Sequence, residues 1–561
     1  MRATVIGILT LSLVACGGGG GGGSSAPPTP VPSGPATATF TVSLTSGGSI
    51  QGAKRTPKYI SKNTNAIAIS VNAAPAQTFP CALSQSTPTC NASLTVPGGL
   101  DTFSVVDMDS GGNALSRSTF QQNIPPGSTT AINAVLNGIV STVDVDLKDH
   151  YAPMGAPFTT TVLITAHDPS GAIIIGPGNY QQPITLANSD TSGATTLSET
   201  TVTAPSDVVT LRYDGTSYVD PIITSTPSNG MPGNPIARLV PMATATEIAI
   251  PSASKTAAGM VVGSDGALWF SESRGMGRVT TGGAITEYPF SGATMGPSAV
   301  ALGPDGNVWF TGAINNAPPP IGPANNSDVG NIAPNGALTF YTVNTSGYGL
   351  GTIAKGPDAK MWFGEGSSLG SVTTTGAFSQ VTPTWGFNNV NISSNDLVTG
   401  PDNNIWTIGS TAGQLYRYVL GATTATAFFT PPIFDGAAPG SMQPYRIIVG
   451  PDNKFYLNSN SLVAKMDTSG TTLATYPFYN IFGAYGQMTS TSNAVWVPLW
   501  LNTDNHPMIA RIGTNGAYGE FALSTTGSGQ DQSTILGALA LGADGQIWYT
   551  RGAYVGHFSA H

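Results

Sequence analysis

Few side chains of this 561-residue chain combine the type and the spacing that chemistry needs. Glu272 and Glu365 each follow a tryptophan by three positions, and such carboxylates could hold a metal ion for hydrolysis or contact a ligand. Hydrogen bonding at the end of a hairpin explains the two glutamates equally well. Of the five histidines, His506 lies in a polar loop and is the best candidate for a general base, with a solvated surface histidine as the alternative.

The composition limits the kind of fold that can carry these residues. Charged residues make up 9% of the chain against a usual value of about 25%, whereas glycine and proline contribute 70 and 43 residues. This balance favours short strands joined by turns over helical bundles, so the predicted fold class is all-β. A net charge of −9 with 20 Lys and Arg residues excludes the basic surface that nucleic acids require. The sequence contains no P-loop and no His-Glu-x-x-His motif.

The first 35 residues indicate export and a lipid anchor. Residues 1–15 are an apolar stretch after Arg2, which is typical of a signal peptide. Residues 13–16 resemble the lipobox of bacterial lipoproteins, which predicts lipidation of Cys16 and a membrane partner through its acyl chains. Residues 16–35, rich in Gly and Pro, are predicted to be a tether. The predicted location is the bacterial cell envelope, extracytoplasmic; the alternative is an ordinary secretory signal in which Cys16 is incidental.

The other two cysteines, Cys81 and Cys90, are nine positions apart. In an exported protein such a pair most simply forms a disulfide, with two unpaired thiols as the alternative. Three cysteines in all leave no set of thiolates for a zinc site once this pair is joined.

Residues 36–138 and 139–242 are predicted to be two immunoglobulin-like β-sandwich modules. Both contain apolar residues that alternate with polar ones in short strands at close spacing. Neither module contains a tryptophan, so both are interpreted as spacers. Asp107, Asp109 and Gly111 resemble part of a calcium loop, but a third ligand is missing and a hairpin turn explains them as well.

The remaining residues, 243–561, repeat one segment seven times, with an Asp-containing turn before an aromatic residue in most copies. The aromatic residues are Trp269, Trp309, Trp362, Trp406, Tyr456, Trp496 and Trp548. Their spacings of 40 to 53 residues match one four-stranded blade per copy, which predicts a seven-bladed β-propeller. The last copy lacks a fourth strand, and residues 246–251 have its pattern. This segment is therefore predicted to close the ring.

The first copy, with Trp-Phe-Ser-Glu at 269–272 and Ile-Thr-Glu-Tyr-Pro-Phe at 285–290, resembles the repeat of the virginiamycin B lyase (streptogramin lyase) family. The resemblance extends over residues 243–561 and implies a seven-bladed propeller. It also implies a magnesium-assisted elimination that opens a cyclic depsipeptide. In that family a histidine eleven positions before the blade tryptophan is the base, and a glutamate three positions after that tryptophan helps to hold the metal.

These positions, carried over to this chain, leave the family chemistry without a base. The seven positions that correspond to the histidine hold Ala258, Ser298, Gly351, Asn395, Tyr445, Tyr485 and Gly537. The glutamate is kept as Glu272 and Glu365, whereas the other blades have Gly312, Gly409, Ser459, Leu499 and Arg551. We therefore predict no catalytic residue, no metal ligand and no cofactor, with Mg²⁺ expected only if lyase activity is retained.

The loops between second and third strands, together with the crossings between blades, are predicted to form one face of the ring, which we call the mouth. Aromatic residues predicted at this face are Trp385, Tyr445, Tyr485 and Trp500. Exposed aromatic clusters with a polar rim are typical of ligand sites. These four residues, with Glu272, Glu365 and His506, are the predicted ligand contacts. The alternative for each ring is that it packs its own loop against a neighbouring blade.

Three functions follow from these observations. The favoured one is an envelope-anchored module that binds an extracellular small molecule, glycan or peptide without catalysis. The second is an enzyme, either a diverged streptogramin lyase or a metal-assisted hydrolase that uses Glu272, Glu365 or His506. The third is a structural surface protein in which the propeller is a platform for assembly.

Overall fold

The computed structural model describes residues 34–43, 61–84, 87–176, 178–215, 221–227, 237–252, 257–290, 296–312, 328–341, 343, 350–386, 392, 396–409, 413–432, 442–478, 486–499, 506–526 and 535–559. The predicted signal peptide, Cys16 and most of the tether lie outside these ranges, as do Tyr485 and Trp500. Every regular element within them is a β-strand, and they include no helix able to cross a membrane. Two compact units are formed, one by residues up to 140 with 167–181, the other by 141–166 with 182–561.

The first module is a sandwich with a disulfide at the junction of its sheets. Its strands are β1 (Ala36–Ser43), β2 (Ala66–Val71), β3 (Gln77–Ser84), β4 (Thr87–Val96), β5 (Gly99–Met108), β6 (Ala114–Ile124), β7 (Thr129–Ile132) and β8 (Asn137–Gly138). They follow the order β7-β1-β4-β3-β2-β5-β6-β8, and β3 joins both sheets because its first half pairs with β2 and its second half with β4. Alternate residues such as Leu94 and Phe103 meet in one core. Cys81 and Cys90 are directly opposite on β3 and β4 and form the predicted disulfide.

The second module has two four-stranded sheets. Its strands are β9 (Thr142–Leu147), β10 (Tyr151–Pro153), β11 (Phe158–His167), β12 (Ile184–Asn188), β13 (Thr195–Leu197), β14 (Thr201–Val202), β15 (Val209–Tyr213), β16 (Ile222–Thr226) and β17 (Ala237–Arg238). The sheets have the orders β13-β15-β11-β9 and β14-β12-β16-β17, and β10 lies outside both sheets because it pairs in parallel with a later strand at residues 240–242. Burial alternates along β9 and β15, as expected for strands with one face on a core.

The third part is a ring of seven blades preceded by β18 (Val240–Ala249). Blades 1 to 3 are β19 (Met260–Val262), β20 (Leu268–Glu272), β21 (Gly275–Val279), β22 (Ile285–Pro289); β23 (Pro297–Leu302), β24 (Val308–Gly312), β25 (Asp328–Ile332), β26 (Leu338–Tyr341); and β27 (Leu350–Lys355), β28 (Met361–Glu365), β29 (Ser368–Val372), β30 (Phe378–Val381). Blades 4 and 5 are β31 (Leu397–Thr399), β32 (Ile405–Ile408), β33 (Gln414–Tyr418), β34 (Thr426–Phe429); and β35 (Arg446–Val449), β36 (Phe455–Asn458), β37 (Leu462–Met466), β38 (Thr472–Pro477). Blade 6 is β39 (Thr489–Ser490), β40 (Ala494–Leu499), β41 (Met508–Gly513), β42 (Tyr518–Thr526), and blade 7 has β43 (Ala538–Leu541), β44 (Gln546–Arg551), β45 (Tyr554–Ser559). The predicted all-β fold, with sandwich modules followed by a seven-bladed propeller, is confirmed.

In most blades the repeated turn is fixed by a hydrogen bond between its aspartate and the tryptophan of the second strand. In five blades the indole N–H donates to the aspartate of the turn, as Trp362 does to Asp358 at 2.8 Å. The first glycine of the motif leaves room for this pair, since a Cβ at Gly303 would lie 2.3 Å from Trp309 Cδ1. The repeated Gly, Asp and Trp therefore have a structural role in these blades.

The predicted closure of the ring is also confirmed. Residues 246–249 of β18 pair antiparallel with β45 and supply the fourth strand of blade 7. The first half of β18 in addition runs parallel to β42 of blade 6, a pairing that the repeat pattern does not indicate. One strand thus covers the edges of two blades.

Candidate functional site

The inner strands of the blades surround a cavity of about 310 Å³. Its walls are mostly small or aliphatic residues, because the first strand of each blade alternates apolar and small side chains. One lining residue from each blade in turn is Val261, Val300, Ala354, Val398, Ile448, Met488 and Gly537. A cavity with such walls accepts an apolar group.

The end of the cavity at the mouth carries a pair of opposite charges. Asp396 directly precedes β31 of blade 4, and Arg446 begins β35 of blade 5; their Oδ1 and Nη1 atoms are 4.0 Å apart. Asp396 Oδ2 also accepts a hydrogen bond from the backbone N–H of Ile447 at 3.0 Å. Both side chains are partly exposed, so water screens their attraction and leaves them able to exchange partners.

These charges lie at the mouth because of the strand directions. The first strand of a blade begins where the second ends, as the bond from Ala258 N–H to Ser271 O shows. Asp396 and Arg446 stand at the beginnings of first strands. Lys355, the other charged lining residue, stands at the end of β27 and therefore at the opposite end of the cavity.

Gln487 links the inner strands of three blades. Its backbone exchanges hydrogen bonds with Gly537 and Leu539 of blade 7. Its side-chain Nε2 donates to Met260 O of blade 1 at 2.8 Å. Gln487 thus connects blades 6, 7 and 1 on the wall of the cavity, and it also lines the cavity.

Three of the positions that correspond to the family base, Ala258, Ser298 and Gly537, line the cavity. Ser298 Oγ donates to Thr311 O within its own blade. Tyr445 is half-buried, and its backbone N–H donates to Asn458 O. Asn395 and Tyr485 lie outside the described residues.

Glu272 and Glu365, the retained glutamates, are only 1% exposed and do not line the cavity. Glu365 Oε2 accepts a hydrogen bond from Gln380 Nε2 of its own blade at 2.8 Å. Glu272 lies over Gly277 of its own blade, where a Cβ would come within 2.6 Å of its Oε1. Hydrogen bonding within the blade, the alternative raised by the sequence, is therefore seen for Glu365.

Trp385 and His506 are both engaged in packing. Trp385 is buried, its Nε1–H donates to Ser367 O at 2.7 Å, and its ring meets Tyr416 edge to face. Trp385 therefore packs against its own loop and a neighbouring blade, which is the alternative that the sequence analysis raised for each ring. His506 is half-buried with its ring edge-on to Tyr151 of β10, centroids 5.0 Å apart, and it is not among the cavity residues. A role of either residue in ligand binding stays a prediction, as it does for Trp500 outside the described ranges.

The polar residues at the mouth that sequence reasoning missed are Asp396, Arg446 and Gln487. A signal existed, since Asp396 and Arg446 each follow a position that corresponds to the family base. In the described part of the chain, no three His, Cys, Asp or Glu side chains cluster in a way that could hold a metal ion.

Comparison with known proteins agrees with this architecture. The model of the Virginiamycin B lyase family matches residues 228–421, which reach from ahead of β18 into blade 4. The propeller is virginiamycin B lyase-like. No curated protein matches the chain.

Several solved structures are similar to this chain. A streptogramin B lyase structure is 18% identical, with a TM-score of 0.46, and the match covers 56% of this chain and 96% of that one. A catalytically inactive virginiamycin B lyase from Staphylococcus aureus with quinupristin is 19% identical, with a TM-score of 0.46 and coverages of 57% and 99%. The extracellular domain of BT4673 from B. thetaiotaomicron is 11% identical, with a TM-score of 0.43 and coverages of 82% and 63%.

Proposed function

We propose that this chain is an extracytoplasmic, envelope-anchored lipoprotein whose propeller binds a ligand at its mouth without catalysis. The observation that carries the proposal is the charge pair of Asp396 and Arg446 above an apolar cavity, next to base positions that hold no histidine. Glu272 and Glu365, the residues that could hold a metal, lie within their own blades.

The chemistry of the cavity favours one class of ligand. An apolar recess can bury an aliphatic or aromatic group, while a carboxylate and a guanidinium at its entrance can bind an amide or an opposite charge. A peptide or a small amide-containing molecule has both features. A glycan, which has few apolar groups, fits this recess less well.

The test of binding uses an array of extracellular peptides, glycans and small molecules with the wild type and two variants. Asp396→Asn keeps the acceptor for Ile447 but removes the charge, and Arg446→Gln removes the cation. We expect either change to weaken binding of the captured ligand about tenfold or more. Lys355→Gln, at the opposite end of the cavity, is the matched control. Equal affinity in all four proteins would overturn the assignment of the mouth.

The absence of catalysis has its own test. The chain is incubated with a type B streptogramin and Mg²⁺, and the antibiotic is followed by mass spectrometry beside an active lyase of the family. We expect the ring of the depsipeptide to stay closed, because no imidazole stands where the proton must be removed. Ring opening would replace the binding proposal with the lyase alternative.

The proposed anchor is supported by residues 13–16. The export that an anchor requires is supported by the disulfide of Cys81 and Cys90, since disulfides persist in oxidising compartments. Metabolic labelling with a radioactive fatty acid should mark the wild type and leave Cys16→Ser unlabelled and released from the membrane fraction. The double variant Cys81→Ser/Cys90→Ser keeps Cys16 and should stay labelled. Label in Cys16→Ser would contradict the anchor.

A further inference from the structure

Asn458, at the end of β36 in blade 5, carries a hydrogen-bond donor that its own blade does not use. The residue is 0% exposed. Its Oδ1 accepts the backbone N–H of Arg446 at 2.8 Å, and this bond fixes which side of the amide is oxygen and which is nitrogen. Among the residues that the structure describes, Asn458 Nδ2 has no hydrogen-bond partner. Buried polar atoms in native proteins nearly always have a partner, so this donor requires an explanation.

The place of Asn458 in the repeat shows where its donor faces. The residue stands two positions after the aromatic residue of the second strand. At the same position in blade 2, Thr311 Oγ1 donates to Gly351 O of blade 3 at 2.7 Å. In blade 7, Thr550 Oγ1 donates to Ala258 O at the start of blade 1, also at 2.7 Å. Side chains at this position therefore reach across to the next blade, to the residue that corresponds to the family base.

Asn458 combines in one amide two roles that separate side chains have in other blades. In blade 1, Ser271 Oγ accepts the N–H of Gly259 at 2.9 Å, which is the bond that Asn458 Oδ1 makes with Arg446. Because Oδ1 is directed to the first strand of its own blade, Nδ2 faces the next blade, as the threonine hydroxyls do. The donor lacks, in the described part of the ring, the carbonyl that those threonines find. Three blades have no side-chain donor at this position: Gly364, Ile408 and Pro498.

The gap that this donor faces, between blades 5 and 6, opens at the mouth. Arg446 of blade 5 and Gln487 of blade 6 both line the cavity there. The Arg446 side chain is partly exposed, and its backbone N–H is bonded to Asn458. A ligand that pairs with Arg446 therefore comes next to the unused donor.

We propose that Asn458 Nδ2 donates a hydrogen bond to a backbone carbonyl of a bound peptide, and that Asn458 is thus a specificity residue of the mouth. The acceptors that Thr311 and Thr550 find from the same position are peptide carbonyls, so the ligand takes the place that a neighbouring blade occupies elsewhere. A neutral donor in a buried place favours a neutral acceptor, because an anion would lose its hydration there. This inference rests on the proposed function, since it requires a ligand at the mouth.

A pair of isosteric variants of the full chain tests the proposal. Asn458→Thr introduces the side chain that donates in blades 2 and 7, and Asn458→Val has the same shape without the hydroxyl. The probes are acetylated and amidated tripeptides with an apolar central residue, titrated by calorimetry. We expect the peptide that binds the wild type best to bind Asn458→Thr within about threefold of that affinity and Asn458→Val about tenfold more weakly.

A change in the peptide separates a direct contact from a structural effect. Each amide of the peptide is replaced in turn by an ester, whose carbonyl is a weaker acceptor. One replacement should weaken binding to the wild type about threefold or more, and this loss should disappear in Asn458→Val, where the bond is already missing. Ester losses that are equal in both proteins would contradict a contact between Asn458 and the peptide.

The remaining outcomes distinguish this inference from the proposed function. If Asp396→Asn and Arg446→Gln weaken peptide binding but Asn458→Thr and Asn458→Val bind equally well, the mouth binds the peptide and the role of Asn458 is wrong. If the wild type binds another compound of the array and no peptide, the inference is likewise overturned while the mouth stands. If Asn458→Val fails to fold, Asn458→Asp replaces it, because it keeps the acceptor for Arg446 and removes the donor; it should bind about tenfold more weakly.

Discussion

At the scale of single residues, the turn aspartate of a blade bonds both its own turn and the tryptophan behind it. Asp305 Oδ1 accepts the Trp309 Nε1–H at 2.9 Å and the backbone N–H of Asn307 at 3.2 Å. Asp305→Ala leaves a buried indole N–H without a partner, which should lower the free energy of unfolding by about 1–3 kcal/mol. Asn335→Ala, in another turn of the same blade, removes one exposed acceptor and should cost under about 0.5 kcal/mol. Urea unfolding measures both, and equal losses would contradict the role of the indole bond.

His557 lies opposite Trp548 in blade 7, where Arg278 lies opposite Trp269 in blade 1, and it makes the stability depend on pH. Burial lowers the pKa of His557 below its usual 6.5, against the opposing charge of Asp544. As the pH is lowered through 6.5, His557 becomes protonated in the unfolded chain but stays neutral in the folded one. The free energy of unfolding therefore decreases as the pH falls, until the pH reaches the pKa of His557 in the folded state. His557→Gln should show a smaller drop in Tm between about pH 7.5 and about pH 5.5 than the wild type. The same drop in both proteins would exclude His557 as a source of the pH dependence.

What the sequence reveals differs from residue to residue. The Trp and Asp of the repeat are predictable because local spacing alone brings them together. The side-chain directions of Glu272 and Trp385 are not predictable in this way. Glu272 lies in the space over Gly277, and Trp385 packs against the ring of Tyr416, and both neighbours are known only from the folded blade. Asp396 and Arg446 come from different blades, 50 positions apart, so only the closed ring makes them neighbours.

At the scale of elements, β18 depends on a buried ion pair. Arg551 Nε donates to Glu247 Oε1 at 2.7 Å, Tyr549 Oη donates to the same atom at 3.1 Å, and both charged residues are buried. Arg551→Leu leaves the Glu247 carboxylate unpaired in the interior, which should cost about 3–5 kcal/mol of unfolding free energy. Arg278→Leu breaks a partly exposed pair with Asp265 and should cost about 1 kcal/mol or less. Chemical denaturation compares them, and similar losses would mean that the closure does not depend on this pair.

The pairing of β18 shows where element prediction ends. Its second half is predictable, because residues 246–249 repeat the pattern of a fourth strand. Its first half is not, because the parallel ladder with β42 has no counterpart in the other blades to serve as a template. The bond from Arg238 to the buried Glu520 lies at the same place and likewise joins residues that are distant in sequence.

At the scale of the whole molecule, the propeller starts earlier in the chain than its repeats do. The first half of β18 covers β42, and the second half completes the blade that holds the two ends of the ring together. The seven repeats by themselves would therefore leave two strand edges open, and open edges promote association between chains.

Two fragments make this dependence measurable. Residues 237–561 retain β18 with Arg238, whereas residues 250–561 retain every repeat but lack that strand. We expect the longer fragment to unfold in one sharp transition and to elute as a monomer. The shorter one should associate or lose its near-ultraviolet circular dichroism at a Tm lower by more than about 10 °C, because the last blade keeps three strands and β45 has no outer partner. Size-exclusion chromatography with thermal circular dichroism distinguishes the two. A monomeric shorter fragment with an unchanged Tm would show that the ring closes without its first strand.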